Sequence, residues 1–317
     1  MKKLTFLVSI IISAIFLYLS FSNFNLHETL SYVKRTDIGM LLLASLIFII
    51  SFILRGIRWK IILAKSGTVS ARIAIANIFV GQMGNNILPW RMGDLWRLFL
   101  LKKQENVSMA SSGAGLGIER LYDGITIIIL GIISSSIYSV YAKMLRALYY
   151  LAGAVALIVI LVVAFFKIFK NKEGKLIKNI MLGISTMKDP RTFLSLIAFS
   201  LIIWCIESLS FYFFYLSSGF RLTILQIFFV VFALNIALLI PAAPASLGTF
   251  EYAIVFSSKL FHISKSAAVS LAVTIHFMRF LSINLVALFL MLVLGMKVKE
   301  EIIELEEAAQ LQDESSG

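Results

Sequence analysis

The chain has 317 residues, 60% of them hydrophobic and only 15% charged, against about 25% charged in a soluble domain. That apolar excess is more than a soluble core can bury, which excludes a soluble enzyme and predicts a multi-span membrane protein. Lysine and arginine number 29 against 17 acids, a net charge of +12, which suits loops on an anionic leaflet and sites for anionic lipid head groups.

Apolar runs follow one another at 4–21, 38–54, 73–89, 116–141, 148–166, 193–216, 222–240, 250–261 and 267–295. At about 1.5 Å per residue, 18 helical residues cover about 27 Å, close to the hydrocarbon thickness. The first run follows Lys2 and Lys3 and is longer than a signal-peptide core, so a retained anchor is predicted. Basic clusters follow the second run (Arg55, Arg58, Lys60, Lys65, Arg72), the third (Arg97, Lys102, Lys103), the fifth (Lys167 to Arg191) and the last (Lys297, Lys299). If all four are cytoplasmic, run 73–89 enters the membrane and turns back. The stretch 222–262 must then do the same from the outer face. The predicted fold is an all-α, polytopic membrane helix bundle with two re-entrant hairpins. Span, hairpin, span occurs twice with opposite direction, the pattern of an inverted repeat. Short runs that each cross completely form the competing topology.

Both hairpins carry residues that lipid disfavours. The first reads Asn85-Asn86-Ile87-Leu88-Pro89-Trp90-Arg91-Met92-Gly93-Asp94, then Arg97; the second reads Pro241-Ala242-Ala243-Pro244-Ala245-Ser246-Leu247-Gly248-Thr249-Phe250-Glu251. In each, Pro89 or Pro244 ends the incoming helix, and Gly93 or Gly248 four residues later lets the chain turn. An acid then falls in the first turn of the outgoing helix, where the dipole tolerates it. Backbone broken at membrane depth persists only within protein or beside a wet cavity, so the two turns are predicted to share a central site. Two interfacial loops joining ordinary helices are the plainer alternative.

The spans after the hairpins carry charge as well: Glu119-Arg120 with Asp123, and His276 with Arg279. Arg120 and Asp123, at i and i+3, can pair on one face. Arg279 has no acid within a turn, so its partner must come from another part of the fold, from water or from a ligand. Glu207, mid-span, reads either as a relay or as the partner of an arginine. His276 reads as a titrating group or as a hydrogen-bonded packing residue. Three histidines and the single Cys205 offer no metal-ligand spacing and no intrachain disulfide. No cofactor fingerprint or catalytic motif occurs in a suitable context. Nucleic acid is not an expected partner, because the basic residues flank membrane spans.

Taken together, Asn86-x-x-Pro89-x-Arg91-x-Gly93-Asp94-x-x-Arg97, Glu119-Arg120-x-x-Asp123 and Pro244-x-x-x-Gly248-x-x-Glu251 resemble the transmembrane flippase-like domain of lysylphosphatidylglycerol synthases, over residues 4–296. Family members often have glycine in the second turn, where this chain has Ala245-Ser246. An integral domain is expected over 1–296 and an acidic cytoplasmic tail over 297–317. The full-length synthases add a soluble aminoacyl-transfer domain; this chain departs from them in ending about twenty residues after its last span, which argues against lysyl transfer. The resemblance implies a cell-membrane transporter with cytoplasmic termini, moving an anionic phospholipid or a polyprenyl-phosphate lipid. Asn86, Arg91, Asp94, Arg97, Arg120, Glu251 and Arg279 would hold the head group, while Asp94 and Glu251 keep the arginines apart. A membrane-embedded transferase acting on such lipids is the alternative, with Asp94 or Glu251 as base. A non-catalytic scaffold is a third reading. Self-association is left open.

Overall fold

The protein is described here from a computed structural model, for residues 2–88, 91–135, 174, 178–179, 181–182 and 189–296, with side chains from Leu7 onward. The run 148–166, most of the central basic loop, Pro89 and the segment 297–317 lie outside the described residues. Among the described residues there are ten α-helices and no strand. They are α1 (Lys2–Phe21), α2 (Leu26–Lys34), α3 (Ile38–Leu63), α4 (Ala71–Ile87), α5 (Met92–Glu105), α6 (Met109–Ser135), α7 (Pro190–Ser217), α8 (Ile224–Ala237), α9 (Thr249–Leu260) and α10 (Lys265–Val293). The chain is an all-α membrane helix bundle, and α3, α7 and α10 are each long and apolar enough to cross a bilayer.

Local signals set the boundaries. Asn25, Asp37, Ser70, Asp189 and Ser264 each accept from a backbone N–H in the first turn of the helix they precede. Asp189 also accepts from the Thr192 hydroxyl at 2.5 Å, and the two Thr192 bonds hold its carboxyl below the usual range. Before α8 a reciprocal pair forms: Gln226 N–H donates to Thr223 Oγ1 at 3.3 Å, and Thr223 N–H donates to Gln226 Oε1 at 2.8 Å.

The scaffold is the antiparallel pair α3 and α7. Ser210 Oγ donates to the Ala44 carbonyl at 2.8 Å, and fourteen residues further along α3 Arg58 donates to Ser200 Oγ, also at 2.8 Å. At the C-terminal end of α3, the backbone N–H and hydroxyl of Ser70 donate to Glu105 Oε1 at 3.1 and 2.9 Å. The hairpin α4–α5 therefore starts and finishes at the same end of the bundle. At the opposite end, Asp37 N–H donates to the Ser217 carbonyl at 2.7 Å. There the Phe229 and Phe261 rings meet edge to face at 5.7 Å, bringing together the first turns of α8 and the end of α9. Two helical hairpins thus extend into the bundle from opposite ends. Neither arm of either hairpin exceeds 17 residues, about 25 Å of helix.

Backbone contact closes the first hairpin. A Cβ on Gly93 would lie 1.9 Å from the Gly81 carbonyl oxygen and 2.3 Å from the Asn85 nitrogen. Gly93→Ala is therefore expected to force α4 and α5 apart and cost about 3 kcal/mol, read as a lower melting temperature in detergent. In the second hairpin Ala245, Ser246 and Gly248 have φ of 57°, 59° and 86°. A Cβ on Gly248 would reach the Ser13 carbonyl oxygen at 2.5 Å, and Ala243 N–H donates to Ser13 Oγ at 2.7 Å. The first apolar run is thereby a packed part of the fold, with α1 clamped on the second turn. The chain then bends by 84° into α2.

Two expectations from charge need correction. The second run continues as helix to Leu63, and Arg55 and Arg58 lie buried inside it rather than in a loop. Arg97 is likewise buried, on α5. Each has a carboxylate partner far away in sequence, which offsets the burial of its charge. Of those clusters, Lys60, Lys65, Arg72, Lys102 and Lys103 remain as flanking charges.

Candidate functional site

The two hairpin breaks face one cavity of about 410 Å³, lined by residues of α3 to α8, of the second break and of α9 and α10. Arg91 joins the breaks directly: its Nη2 donates to the Leu238 carbonyl at the end of α8 at 2.8 Å. Arg91 sits at the N-cap of α5 with φ 54°, a left-handed conformation that costs about 1–2 kcal/mol in a non-glycine residue. Its side chain is thereby thrown into the cavity. Next to it, Asp94 N–H donates to Asn85 Oδ1 and Asn85 Nδ2 donates to Asp94 Oδ1, each at 3.2 Å. Asp94 in turn accepts two bonds from Arg120 Nη2 at 2.8 and 3.0 Å.

Deeper in the bundle lies an alternating chain of charge. Arg58, fully buried, donates to both oxygens of Asp123 at 2.8 and 3.0 Å. Trp204 Nε1 donates to Asp123 Oδ1 at 2.9 Å, and Arg55 bridges Asp123 at 3.5 Å to Glu207. Glu207 also accepts from Arg279 Nη2 at 2.9 Å. The chain Arg58–Asp123–Arg55–Glu207–Arg279 thus ties α3, α6, α7 and α10 together. Aromatic faces cover its cations: Arg55 lies 4.6 Å from the Trp204 ring centroid and Arg279 lies 3.9 Å from that of Phe48. A separate pair, Arg97 with Glu119 at 2.8 Å, is packed at 4.1 Å over Trp59.

Six of the seven predicted head-group residues line the cavity: Asn86, Arg91, Asp94, Arg97, Arg120 and Arg279. Glu251 does not. It is buried, one oxygen accepts from Gly248 N–H at 2.7 Å, and the other meets His276 Nδ1. It is therefore not the group that separates arginines. The i, i+3 pair of Arg120 with Asp123 does not form either, because α3 supplies two arginines to Asp123 and α5 supplies Asp94 to Arg120. Arg279 finds its acid in Glu207, and Glu207 holds two arginines.

Arg55 and Arg58 are the residues that sequence reasoning missed. Their signal was present as two arginines three apart, immediately after an apolar run that by itself reaches only residue 54. With them, the charge of the site can be counted. Six arginines (55, 58, 91, 97, 120 and 279) face four carboxylates (94, 119, 123 and 207), a surplus of two positive charges. Of the six, Arg91 alone has no carboxylate partner among the described residues. Arg120, though paired, keeps 46% of its side chain exposed. Uncharged polar groups complete the wall: Gln82, Asn86 and Asn235, with Ser246 beside them. Much of the rest of the lining is apolar and includes Ile127, Ile128, Ile283 and Leu239. Among the described residues no cluster of histidine, cysteine or acid is arranged to hold a metal.

A membrane bundle with a charged chamber between two broken helical hairpins is the class that this architecture defines. Residues 6–287 match the family described as the lysylphosphatidylglycerol synthase TM region, and the chain belongs to that family. It is 30% identical over 210 residues to the UPF0104 membrane protein MJ1078 of Methanocaldococcus jannaschii, covering 63% of this chain and 89% of that one. To the UPF0104 membrane protein PH1989 of Pyrococcus horikoshii it is 27% identical over 286 residues, covering 77% and 84% of the two chains. A shorter similarity, 30% over 127 residues, links it to the glycosyltransferase AglD of Haloferax volcanii, over 40% of this chain and 20% of AglD. No solved structure matches.

Proposed function

We propose that the protein is a carrier that moves an anionic lipid, a phospholipid or a lipid-linked phosphate, between the leaflets of the cell membrane. Arg91 carries this reading: it is a cation without a carboxylate partner among the described residues, at the junction of both breaks, in a chamber with two surplus positive charges. A phosphate matches that surplus, and arginine meets it through forked hydrogen bonds. Gln82, Asn86 and Asn235 would take hydroxyls attached to the phosphate. The acyl or prenyl tail would leave over the apolar lining, where Leu239 is 66% exposed. The hairpins are read as re-entrant, one from each face, and exchange of access as rocking of the two inverted halves around the chamber. Lys60, Lys65, Arg72, Lys102 and Lys103 are then read as cytoplasmic, and the termini with them.

Proteoliposomes test the reading. A labelled anionic phospholipid is expected to change leaflet at a protein-dependent rate, and a labelled zwitterionic one is not; equal rates for both, or none for either, would contradict it. A second reading, a membrane-embedded transferase, is favoured by the name of AglD alone. It predicts a new labelled lipid product when purified protein meets a polyprenyl phosphate and a sugar donor.

A further inference from the structure

The chamber's ion pairs leave one titratable pair unused, at the second break, with Glu251 buried and His276 half-buried. His276 projects from α10 with both ring nitrogens engaged. Nε2 lies 3.0 Å from the Ala245 carbonyl oxygen, and Nδ1 meets Glu251 Oε1. A carbonyl oxygen only accepts, so Nε2 must carry its hydrogen. With Nε2 protonated, Nδ1 either bears a second proton or presents a lone pair. A lone pair would face the lone pairs of an ionised carboxylate in a buried site, a repulsive contact. The contact is favourable only if one proton lies between ring and acid, as imidazolium with carboxylate or as imidazole with carboxylic acid. The Phe250 ring, stacked on the imidazole at 4.3 Å, fixes its orientation.

We propose that Glu251 and His276 form a proton-binding site. The bound proton pins the second break to α10, through the Ala245 carbonyl on one side and the first turn of α9 on the other. Without that proton the neutral ring has one N–H for two acceptors; the ionised carboxylate takes it at Nδ1, the bond from Nε2 to the Ala245 carbonyl is lost, and the strained segment at Ala245 and Ser246 is freed.

The surroundings leave this proton to the pair alone. Helix α8 carries no ionisable side chain, and among the described side chains of α1 only Tyr18 is ionisable. Helix α2 brings His27, Glu28, Tyr32 and Lys34, but it docks on the first turn of α10, where Thr29 Oγ1 donates to the Ser266 carbonyl. That is ten residues, about 15 Å, from His276. On the chamber side, Arg279 and Arg55 are held by Glu207, Arg120 is held by Asp94, and Arg91 is bonded to the Leu238 carbonyl. His276 itself lines the chamber, so a proton leaving it has a polar route. In a carrier, each opening of the second break would then exchange one proton with the chamber. That consequence rests on the carrier reading, whereas the proton site does not.

The test is the accessibility of the break in full-length protein reconstituted without a transported lipid. Cys205 is replaced by serine, Ser246 by cysteine, and the modification rate with a maleimide is measured from pH 5 to pH 9. Glu251→Gln supplies the reference. Its amide nitrogen can donate to Nδ1 while its oxygen accepts from Gly248 N–H, so the break stays pinned at every pH. The ordinary rise in thiolate with pH cancels in the ratio of the two rates. That ratio is expected to be about 1 at the acid end and to climb by up to about tenfold per pH unit once the proton is lost. His276→Ala, which has no such proton to lose, is expected to react at the fast, open rate throughout. If Glu251→Gln does not fold, His276→Ala gives the upper reference by itself. A ratio that stays flat from pH 5 to pH 9, or a wild-type rate that tracks His276→Ala at all pH, overturns the proton site. Neither result touches lipid movement, so either would leave the carrier reading standing. Failed lipid movement with a rising ratio would do the reverse.

Discussion

Replacing Asp123 by alanine is expected to cost about 3–5 kcal/mol of stability, the largest loss from any single substitution in the protein. Asp123 accepts from Arg58, Arg55 and Trp204 at once. Its removal leaves a fully buried guanidinium with only Ser200 Oγ as a partner. The penalty is that of an orphaned charge rather than of the lost bonds, so it should shrink when the charge is removed too. Arg58→Met combined with Asp123→Ala is therefore expected to be more stable than the sum of the two single losses predicts. Thermal unfolding in detergent measures all three variants. Strictly additive losses would mean that the two residues stabilise the bundle independently, against the geometry of the pair.

The second large effect is on transport. Arg91 and Arg120 are the arginines whose side chains open most into the chamber, and each bond from a charged group to a phosphate is worth about 1.5–3 kcal/mol. Arg91→Ala should slow movement of an anionic lipid by about ten- to a hundredfold, with stability changed little because its one bond is to an exposed carbonyl. Arg91→Lys should retain part of the rate, since it keeps the charge but loses the fork. The double variant Arg91→Ala/Arg120→Ala also leaves Asp94 without its cation, and is expected to abolish movement. Leaflet exchange measured at matched protein density separates these outcomes. Unchanged rates in folded Arg91→Ala would remove Arg91 from the site.

What could be read in the sequence was local. Proline four residues before glycine marked both breaks, and the acid just beyond each glycine marked the first turn of a helix. Arg120 and Arg279, taken as charges without an obvious place in lipid, do face one chamber. The pairing was not legible. Arg55 meets Glu207 across 152 residues and Arg58 meets Asp123 across 65, separations at which no spacing rule operates. Spacing misled for Arg120 and Asp123, because a helical i, i+3 pair yields to better partners on neighbouring helices. Net charge misled for Arg55, Arg58 and Arg97. A basic residue at the end of an apolar run is read as a loop cation unless its buried acid is known, and here the acids lie on other helices. Glu251 was placed correctly on its helix, but its partner, His276, was weighed as a solitary ring. The stacking of that ring on Phe250 and its contact with Ala245 depend on the left-handed turn at 245–246, which no residue type there announced.

The central claim is that the chamber between the two breaks takes an anionic lipid head, and binding tests it without requiring movement. Titration calorimetry of the purified protein in uncharged detergent with a long-chain monoalkyl phosphate should show saturable binding. That binding should weaken about ten- to a hundredfold in Arg91→Ala and stay unchanged in Arg35→Ala, a cation outside the chamber. Equal affinities in the wild type and both variants would contradict the claim.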